Sequence, residues 1–370
     1  MRVATGVGLP TEWIAAMTGR AFNPRRVLVA GCGIGVEAFA LAERYPEAHV
    51  VGVDFSPRAI AEARRLQRKA GARKRVRFEV ADLAARGLEK IAGEDFDVVS
   101  CHGVLSYVPD TAGALRNMAR CMSADGVLLL GVNGAGHLSV RYRVILREFG
   151  YDVDQFRESE DVRELLRVCD ALSIYPPVRI ADFDAGYLAG DIFGPLNIAL
   201  TVGGWNELLE KAGLHLASTF RAFYATRELV NRGLHAVLLP RTRAEVAGIV
   251  DVLHPSSFHQ LLVTRDAPPA PPFARPGRLL KRKPAVTELY KIRKPRKGRH
   301  WNDLRDVALR SASTNTSADL TIPEWEVEIL RKADGSVTLG SILGEVKPAV
   351  PRAELGEALY LLYLLGVLNP

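Results

Sequence analysis

The chain has 370 residues, of which 48% are hydrophobic and 25% charged, with 49 Lys and Arg against 42 Asp and Glu. This composition is that of a globular protein with room for two domains, and it excludes a collagen-like or disordered chain. The four cysteines lie far apart, which argues against a disulfide framework or a cysteine zinc site, so no metal is expected.

Strand and helix patterns alternate through the first third of the chain. Apolar runs predict strands at 26–30, 49–53, 75–80, 96–101 and 127–132, and helical periodicity predicts helices at 36–44, 57–70 and 115–122. Strand–helix repeats of this length require parallel pairing with right-handed crossovers. We therefore predict an α/β fold with a doubly wound sheet, whose ligand site lies beyond the carboxyl ends of the strands.

The middle of the chain predicts the rest of this first domain, which we place at residues 1–265. Residues 133–211 read as a helical lid or insert. Two late strands at 215–225 and 258–265, with a helix at 241–253 between them, would complete a seven-stranded sheet.

A proline-rich stretch opens a predicted linker at residues 266–319. Between residues 273 and 310 the chain carries thirteen Lys and Arg and three acids, so the remainder sums to about −3. A solvated basic linker is the simpler interpretation. Docking on nucleic acid through residues 275–299, or on an acidic partner, is the alternative, and nucleic acid is not favoured.

Three glycines, Gly31, Gly33 and Gly35, follow the first predicted strand in VLVAGCGIG. A dinucleotide fingerprint would have its third glycine at position 36, where Val36 stands. A phosphate-binding P-loop would need a lysine after its last glycine, and there is none. The glycines therefore indicate a turn at the end of a strand, and their spacing fits neither of these two phosphate-binding motifs.

Two acids end the next two predicted strands. Asp54 follows the second strand, where its carboxylate can accept hydrogen bonds from both hydroxyls of a ribose, and Phe55 beside it offers an apolar face to a purine. Asp82 follows the third strand, where it can accept from an adenine amino group. Together with the glycines, these positions favour a nucleoside cofactor.

The chain resembles the class I S-adenosylmethionine-dependent methyltransferases in VLVAGCGIG, GVDFSP, VADL, FDVVSCHGVLSYVPD and GVLLLGVNG. The resemblance covers roughly residues 20–135 and extends more loosely to about 265. It implies a Rossmann-like fold and S-adenosylmethionine as the cofactor. By position it implies a cofactor site made of Gly31, Cys32, Gly33, Gly35, Asp54, Phe55, Asp82, Leu83, His102 and Gly103.

The same resemblance implies methyl transfer by in-line displacement, which needs a base only when the acceptor arrives protonated. His102 and Tyr107 are the candidates for a catalytic group, with cofactor lining or ordinary packing as the alternative. The acceptor stays open: a nitrogen or oxygen nucleophile on a peptide, a protein or a small molecule. The family usually carries an acid just before the first glycine, where this chain has Ala30. A catalytically weak or inactive cofactor-binding regulatory protein is therefore the second hypothesis.

Residues 320–370 form the last predicted domain, with helices at 323–333, 341–346 and 353–365. This pattern resembles the winged-helix-like regulatory modules of some bacterial methyltransferases and the small peptide-chaperone fold of pyrroloquinoline quinone biosynthesis. The resemblance implies peptide or protein recognition, a homodimer contact or DNA binding, and packing on the first domain is the alternative.

The sequence also bears on location. The first residues lack a charged leader followed by an apolar core, and the longest apolar run, from Leu359 to Leu368, is about half the length of a membrane-spanning helix. We therefore expect a cytoplasmic protein with no membrane partner.

Overall fold

The computed structural model describes most of the chain outside the predicted insert and the basic segment. The described residues are 11–69, 75–150, 196–219, 241–268, 279–286, 290–293, 307–311 and 320–369, with the single positions 163, 167, 171, 188, 190 and 194. Much of the predicted lid, and most of the basic segment, lie outside these residues.

Seven strands form the main sheet. They are β1 (Arg26–Ala30), β2 (His49–Asp54), β3 (Val76–Val80), β4 (Phe96–His102), β5 (Met122–Asn133), β6 (His215–Thr219) and β7 (Phe258–Thr264). Their order is β3-β2-β1-β4-β5-β7-β6, and β7 runs antiparallel to both of its neighbours. The other neighbouring strands pair in parallel. The predicted seven-stranded, Rossmann-like sheet is therefore confirmed.

Helices cover both faces of this sheet. They are α1 (Thr11–Thr18), α2 (Val36–Arg44), α3 (Pro57–Lys69), α4 (Leu88–Ala92), α5 (Thr111–Cys121), α6 (Leu138–Glu148), α7 (Val202–Lys211) and α8 (Arg243–Leu253). Because side chains alternate along a strand, Val27 and Val29 of β1 share a cluster with Leu41 of α2, whereas Ala30 shares one with Leu115 of α5. The strands are apolar on both faces for this reason.

The C-terminal part adds small sheets and three helices. Its elements are β8 (Ala285–Val286), β9 (Tyr290–Arg293), β10 (Val307–Ser311), β11 (Leu320–Ile322), α9 (Glu324–Lys332), α10 (Leu339–Val346), α11 (Arg352–Leu364) and β12 (Leu368–Asn369). Strands β9, β10 and β11 form one antiparallel sheet, and β8 pairs with β12. Three of these strands, β8, β9 and β10, lie within the predicted linker at 266–319, because a charged segment can still pair its backbone. The division into domains stays a prediction. The winged-helix likeness stays a prediction.

The C-terminal helix α11 packs on α1 and α8. One hydrophobic cluster contains Trp13 of α1 together with Leu359 and Leu362 of α11. A second cluster joins Val246 of α8 to Tyr360 of α11. The described residues therefore support the packing alternative for this part of the chain.

Arg243 connects these three helices at one buried point. Its side chain is 6% exposed, and Nη1 donates to the carbonyl of Met17 at 2.9 Å. Nε and Nη2 both donate to the carbonyl of Tyr363, at 3.2 and 2.5 Å, and the guanidinium lies 3.9 Å from the centre of the Tyr363 ring. Both carbonyls belong to the last turn of a helix, where the helix dipole favours a cation.

Replacing Arg243 is expected to destabilise the whole fold. Arg243→Ala leaves two carbonyls without their charged donor, so the free energy of unfolding should fall by about 3 kcal/mol. Urea denaturation followed by circular dichroism measures this loss. Arg241→Ala is the matched control, because the side chain of Arg241 is exposed, and it should change stability by no more than about 0.5 kcal/mol. Equal stabilities of the two variants would contradict the assignment.

Candidate functional site

A cavity of about 400 Å³ lies beyond the carboxyl ends of the parallel strands. The strand order reverses between β1 and β4, because β1 leads to β2 on one side and β4 leads to β5 on the other. Crevices at such reversals are where open α/β sheets bind ligands. The cavity is lined by Gly31, Asp54, Phe55, Asp82, Leu83, Gly103, Val104, Tyr107, Val108 and Pro109.

The glycines shape the loop that follows β1. Gly31 has φ +77°, and a Cβ there would lie 2.4 Å from a methyl carbon of Val104. Gly35 precedes α2 with φ +89°, and a Cβ there would lie 2.6 Å from the ring of Phe78. Other residues are therefore excluded at both positions by backbone conformation and by packing.

Asp54 joins the loops that follow β1 and β2. Its side chain is 9% exposed, Oδ2 accepts the backbone N–H of Gly33 at 2.8 Å, and Oδ1 accepts the N–H of Ser56 at 2.9 Å. A carboxylate offers about four acceptor positions, so two remain for the hydroxyls of a ligand. The side chain lines the cavity, as the ribose prediction requires.

The next part of the cavity wall can accommodate a purine. The ring of Phe55 is 76% exposed, an unusual state for a large apolar side chain, and it lines the cavity. Asp82 is exposed beside it, with Oδ1 accepting the N–H of Ala84 at 2.9 Å, and Leu83 is buried. A ring face, a carboxylate and a backbone turn therefore lie together where the sequence predicted an adenine.

Asn117 holds this turn in place, and the sequence analysis missed it. Its Nδ2 donates to the carbonyls of Leu83 and Ala85 at 2.8 and 2.9 Å, and its side chain is 3% exposed. Asn117 lies on the buried face of α5, between apolar residues. The sequence could have revealed Asn117 as a polar residue on an otherwise apolar helix face, because a buried amide must find hydrogen-bond partners.

Four predicted cofactor residues are not among the described residues that line the cavity: Cys32, Gly33, Gly35 and His102. Burial, with a contribution from the charge of Asp54, raises the pKa of Cys32 to about 12, so this thiol is an inert core group. The ring of His102 lies 5.0 Å from that of Phe258, and burial lowers its pKa. The predicted roles of these four residues stay predictions.

Tyr107 lines the cavity and is held from behind by Asn133, a residue that the sequence analysis also missed. Asn133 is 2% exposed, and its Nδ2 donates to the Tyr107 hydroxyl and to Oδ1 of Asn197, both at 2.9 Å. Trp205 donates its indole N–H to the Asn133 carbonyl at 2.9 Å. Through Asn133, hydrogen bonds connect the cavity wall to Asn197 and Trp205, near the end of the predicted insert.

In the parts of the chain that the structure describes, no three His, Cys, Asp or Glu side chains gather closely enough to ligate a metal ion. None of the described helices has both the length and the apolar character needed to cross a bilayer. The described cysteines, Cys32, Cys101 and Cys121, are buried free thiols.

Comparison with known proteins identifies the domain that carries this cavity. Residues 23–137 match the family model described as "Methyltransferase domain". The trans-aconitate 2-methyltransferase of Methylobacterium nodulans is 39% identical over 105 residues, 28% of this chain and 37% of the relative. The ubiquinone biosynthesis O-methyltransferase of Pseudomonas aeruginosa is 31% identical over 159 residues, 43% of this chain and 65% of the relative. The chain thus spans between about a third and two thirds of these relatives.

A solved structure shares the fold over nearly the whole length. PKMT2 from Rickettsia typhi, in complex with AdoHcy (S-adenosylhomocysteine), superposes with a TM-score of 0.57 and 18% identity, covering 97% of this chain and 74% of that chain. The family model thus shows a methyltransferase domain over residues 23–137, and the likeness to PKMT2 shows a shared fold.

Phe55 tests the adenine assignment without disturbing the core. Because its ring is largely exposed, Phe55→Ala should leave thermal stability unchanged and weaken AdoHcy binding by about 1–3 kcal/mol, the usual value of a stacked base. Isothermal titration measures the affinity. Ile34→Ala removes another exposed apolar side chain, which does not line the cavity, and should bind AdoHcy as the wild type does. The same affinity in both variants would place the adenine elsewhere.

Proposed function

We propose that the chain is an S-adenosylmethionine-dependent methyltransferase that transfers a methyl group by in-line displacement to a nitrogen or oxygen nucleophile. The cavity at the β1–β4 reversal carries this proposal. Six of the predicted cofactor residues line it, and all six lie within residues 23–137, the match to the methyltransferase domain. AdoHcy, the product form of that cofactor, is bound in the similar structure of PKMT2.

The side chains of the cavity suit the adenosine part of this cofactor. Asp54 presents carboxylate oxygens to the ribose, and the exposed ring of Phe55 and the carboxylate of Asp82 stand where the adenine would lie. Gly31 lines the cavity without a side chain, because Val104 fills the space that a Cβ would need. The donor set and the space therefore fit the group.

When bound, the cofactor supplies an electrophilic methyl group on a positively charged sulfur. The chain's own task is to align the acceptor with that methyl group and to keep water out. Tyr107, Val108 and Pro109 line the cavity from the segment that follows β4, whereas Phe55 and Asp82 follow β2 and β3. We assign the acceptor to this wall, where the hydroxyl of Tyr107 can orient it.

The acceptor itself stays open between peptides, proteins and small molecules. The two relatives are named for different acceptors, so what they share with this chain is the part that binds the cofactor.

We also propose the division into residues 1–265, 266–319 and 320–370, a cytoplasmic location, and a winged-helix-like C-terminal module that recognises substrate or forms a homodimer. The contact of α11 with α1 and α8 supports a fixed position of that module on the first domain.

Removal of the Asp54 carboxylate tests the cofactor assignment. Asp54→Ala should weaken AdoHcy binding by about 2–3 kcal/mol, because charge-assisted hydrogen bonds to the ribose are lost. Isothermal titration of wild type and variant gives the difference, and Asp97→Ala, which removes an acid at the other end of the sheet, serves as control. Unchanged affinity of Asp54→Ala would mean that the ribose binds elsewhere.

Label transfer tests catalysis. Cell extract incubated with the protein and S-adenosylmethionine carrying a labelled methyl group should gain label in one class of molecule, which identifies the acceptor. Tyr107→Phe should bind AdoHcy as the wild type does and transfer label about tenfold more slowly, because one orienting hydrogen bond is lost. Cofactor binding without any label transfer would favour the inactive regulatory protein instead.

A further inference from the structure

A row of hydrogen bonds runs from the candidate cavity to the start of α6. The hydroxyl of Tyr107, which lines the cavity, lies 2.9 Å from Nδ2 of Asn133. The same Nδ2 lies 2.9 Å from Oδ1 of Asn197, whose own Nδ2 lies 3.0 Å from Oγ of Ser139. That Oγ lies 2.7 Å from Nδ1 of His137, the residue that caps α6. Asn133, His137 and Ser139 are buried, so these contacts are shielded from water.

The backbone of Ser139 fixes the direction of this row. An amide fits its site in two orientations and a hydroxyl rotates, so the direction must come from a group that can only donate. The backbone N–H of Ser139 is such a group, and it donates to Nδ1 of His137 at 3.2 Å. This ring nitrogen therefore carries no proton, and the Ser139 hydroxyl beside it donates to it as well.

The remaining steps of the row follow from this one. Because Ser139 uses its hydroxyl proton on His137, its oxygen accepts from Nδ2 of Asn197. Asn197 thereby turns Oδ1 toward Asn133, which donates to it from Nδ2. The second hydrogen of that Nδ2 points to the Tyr107 hydroxyl. Since an amide nitrogen does not accept, the Tyr107 oxygen is the acceptor here and its own proton is directed away from Asn133.

Asn133 also holds the segment after β4 at two neighbouring residues. Its backbone N–H donates to Oγ of Ser106 at 2.8 Å, and its side chain donates to Tyr107. Its carbonyl accepts the indole N–H of Trp205 at 2.9 Å and the backbone N–H of Leu200 at 3.2 Å. Ser106 and Trp205 are fully buried. Asn133 is thus anchored on both sides, and it gives the Tyr107 hydroxyl a fixed place in the cavity wall.

We propose that Asn133 is a positioning residue that makes the Tyr107 hydroxyl a hydrogen-bond donor to the methyl acceptor, and that this acceptor is an oxygen nucleophile. The proposal rests on the proposed function, which assigns the acceptor to this wall. A phenol that donates needs a lone pair on its partner. A neutral amine nitrogen has a single lone pair and uses it to attack the methyl group. A carboxylate or a deprotonated hydroxyl keeps further lone pairs, so it can accept from Tyr107 and attack at the same time.

An oxygen anion also suits the titratable groups of the cavity. One of its lone pairs forms the new C–O bond to the methyl carbon, while the C–S bond breaks and its electron pair goes to the sulfur. No proton is released, so no base is needed. Among the described residues that line the cavity, the titratable ones are Asp54, Asp82 and Tyr107, and both acids are assigned to the cofactor. The neighbours of Tyr107 in the wall, Val108 and Pro109, are uncharged.

The atom that receives the methyl group is the first test. The protein is incubated with cell extract and S-adenosylmethionine carrying a labelled methyl group, and mass spectrometry identifies the labelled product. A methyl ester or a methyl ether is expected. A methyl group on nitrogen would overturn the oxygen assignment and leave the proposed function standing.

Exchange of the Asn133 amide for a carboxylate tests the positioning role. In Asn133→Asp the new group has the same shape but only accepts, so Tyr107 donates to it and no longer to the acceptor. Label transfer at saturating S-adenosylmethionine should fall about tenfold, as in Tyr107→Phe, because one orienting hydrogen bond is lost. Adding Asn133→Asp to Tyr107→Phe should cause no further loss, since both changes remove the same hydrogen bond. AdoHcy binding should stay as in the wild type throughout.

Two further variants complete the comparison. Asn23→Asp makes the same exchange at an exposed residue before β1 and should leave the transfer rate unchanged. Asn197→Ala removes the acceptor that fixes the Asn133 amide, at a less buried position. It should slow transfer about two- to threefold in the wild-type chain and not at all in Tyr107→Phe. It therefore carries the test if thermal denaturation shows that Asn133→Asp does not fold.

The rates in the Tyr107→Phe background decide the positioning role. If Asn133→Asp or Asn197→Ala slows Tyr107→Phe as much as it slows the wild type, the effect does not pass through the Tyr107 hydroxyl and the role is overturned. An unchanged rate in a folded Asn133→Asp overturns it too. A wild type that transfers no label, or transfers it to carbon, overturns the proposed function and this inference together.

Discussion

The carboxylate of Asp54 determines the relative position of the two loops on which the cavity depends. It accepts the backbone N–H of Gly33 from the loop after β1 and that of Ser56 from the loop after β2. Gly31 and Phe55, which line the cavity, lie on these same two loops. Because charge-assisted hydrogen bonds are short and strong, neither loop moves without the other. One side chain therefore both shapes the cavity and presents oxygen atoms to it.

The distribution of charge is consistent with this arrangement. The net positive charge of the chain comes from residues 273–310, whereas Asp54 and Asp82 place carboxylates at the cavity. A negative cavity in a low-dielectric surrounding favours a ligand with a positive group. The cofactor that we propose carries two such groups before transfer and one after it, so the charge of the site favours the reactant form.

The sequence predicted the main sheet and much of its cavity because both follow from local patterns. Strands covered on both faces are continuously apolar, and the acids at their ends, Asp54 and Asp82, stand out against them. Asn117 and Asn133 could not be placed in this way, since their partners are a backbone carbonyl and a phenol 34 and 26 residues away. Strands β9 and β10 were missed because a densely charged segment gives little apolar alternation, and pairing depends on distant backbone.

The position of Arg243 has a consequence for the synthesis of the chain. Its two carbonyl partners belong to residues 17 and 363, so the second is made more than 300 residues after the first. Until residue 363 has left the ribosome, this guanidinium has half of its buried acceptors and α1 lacks its final neighbour. Helix α1 thus reaches its native surroundings only after α11 has been made, and a ribosome stalled in between presents Trp13 and its neighbours to water.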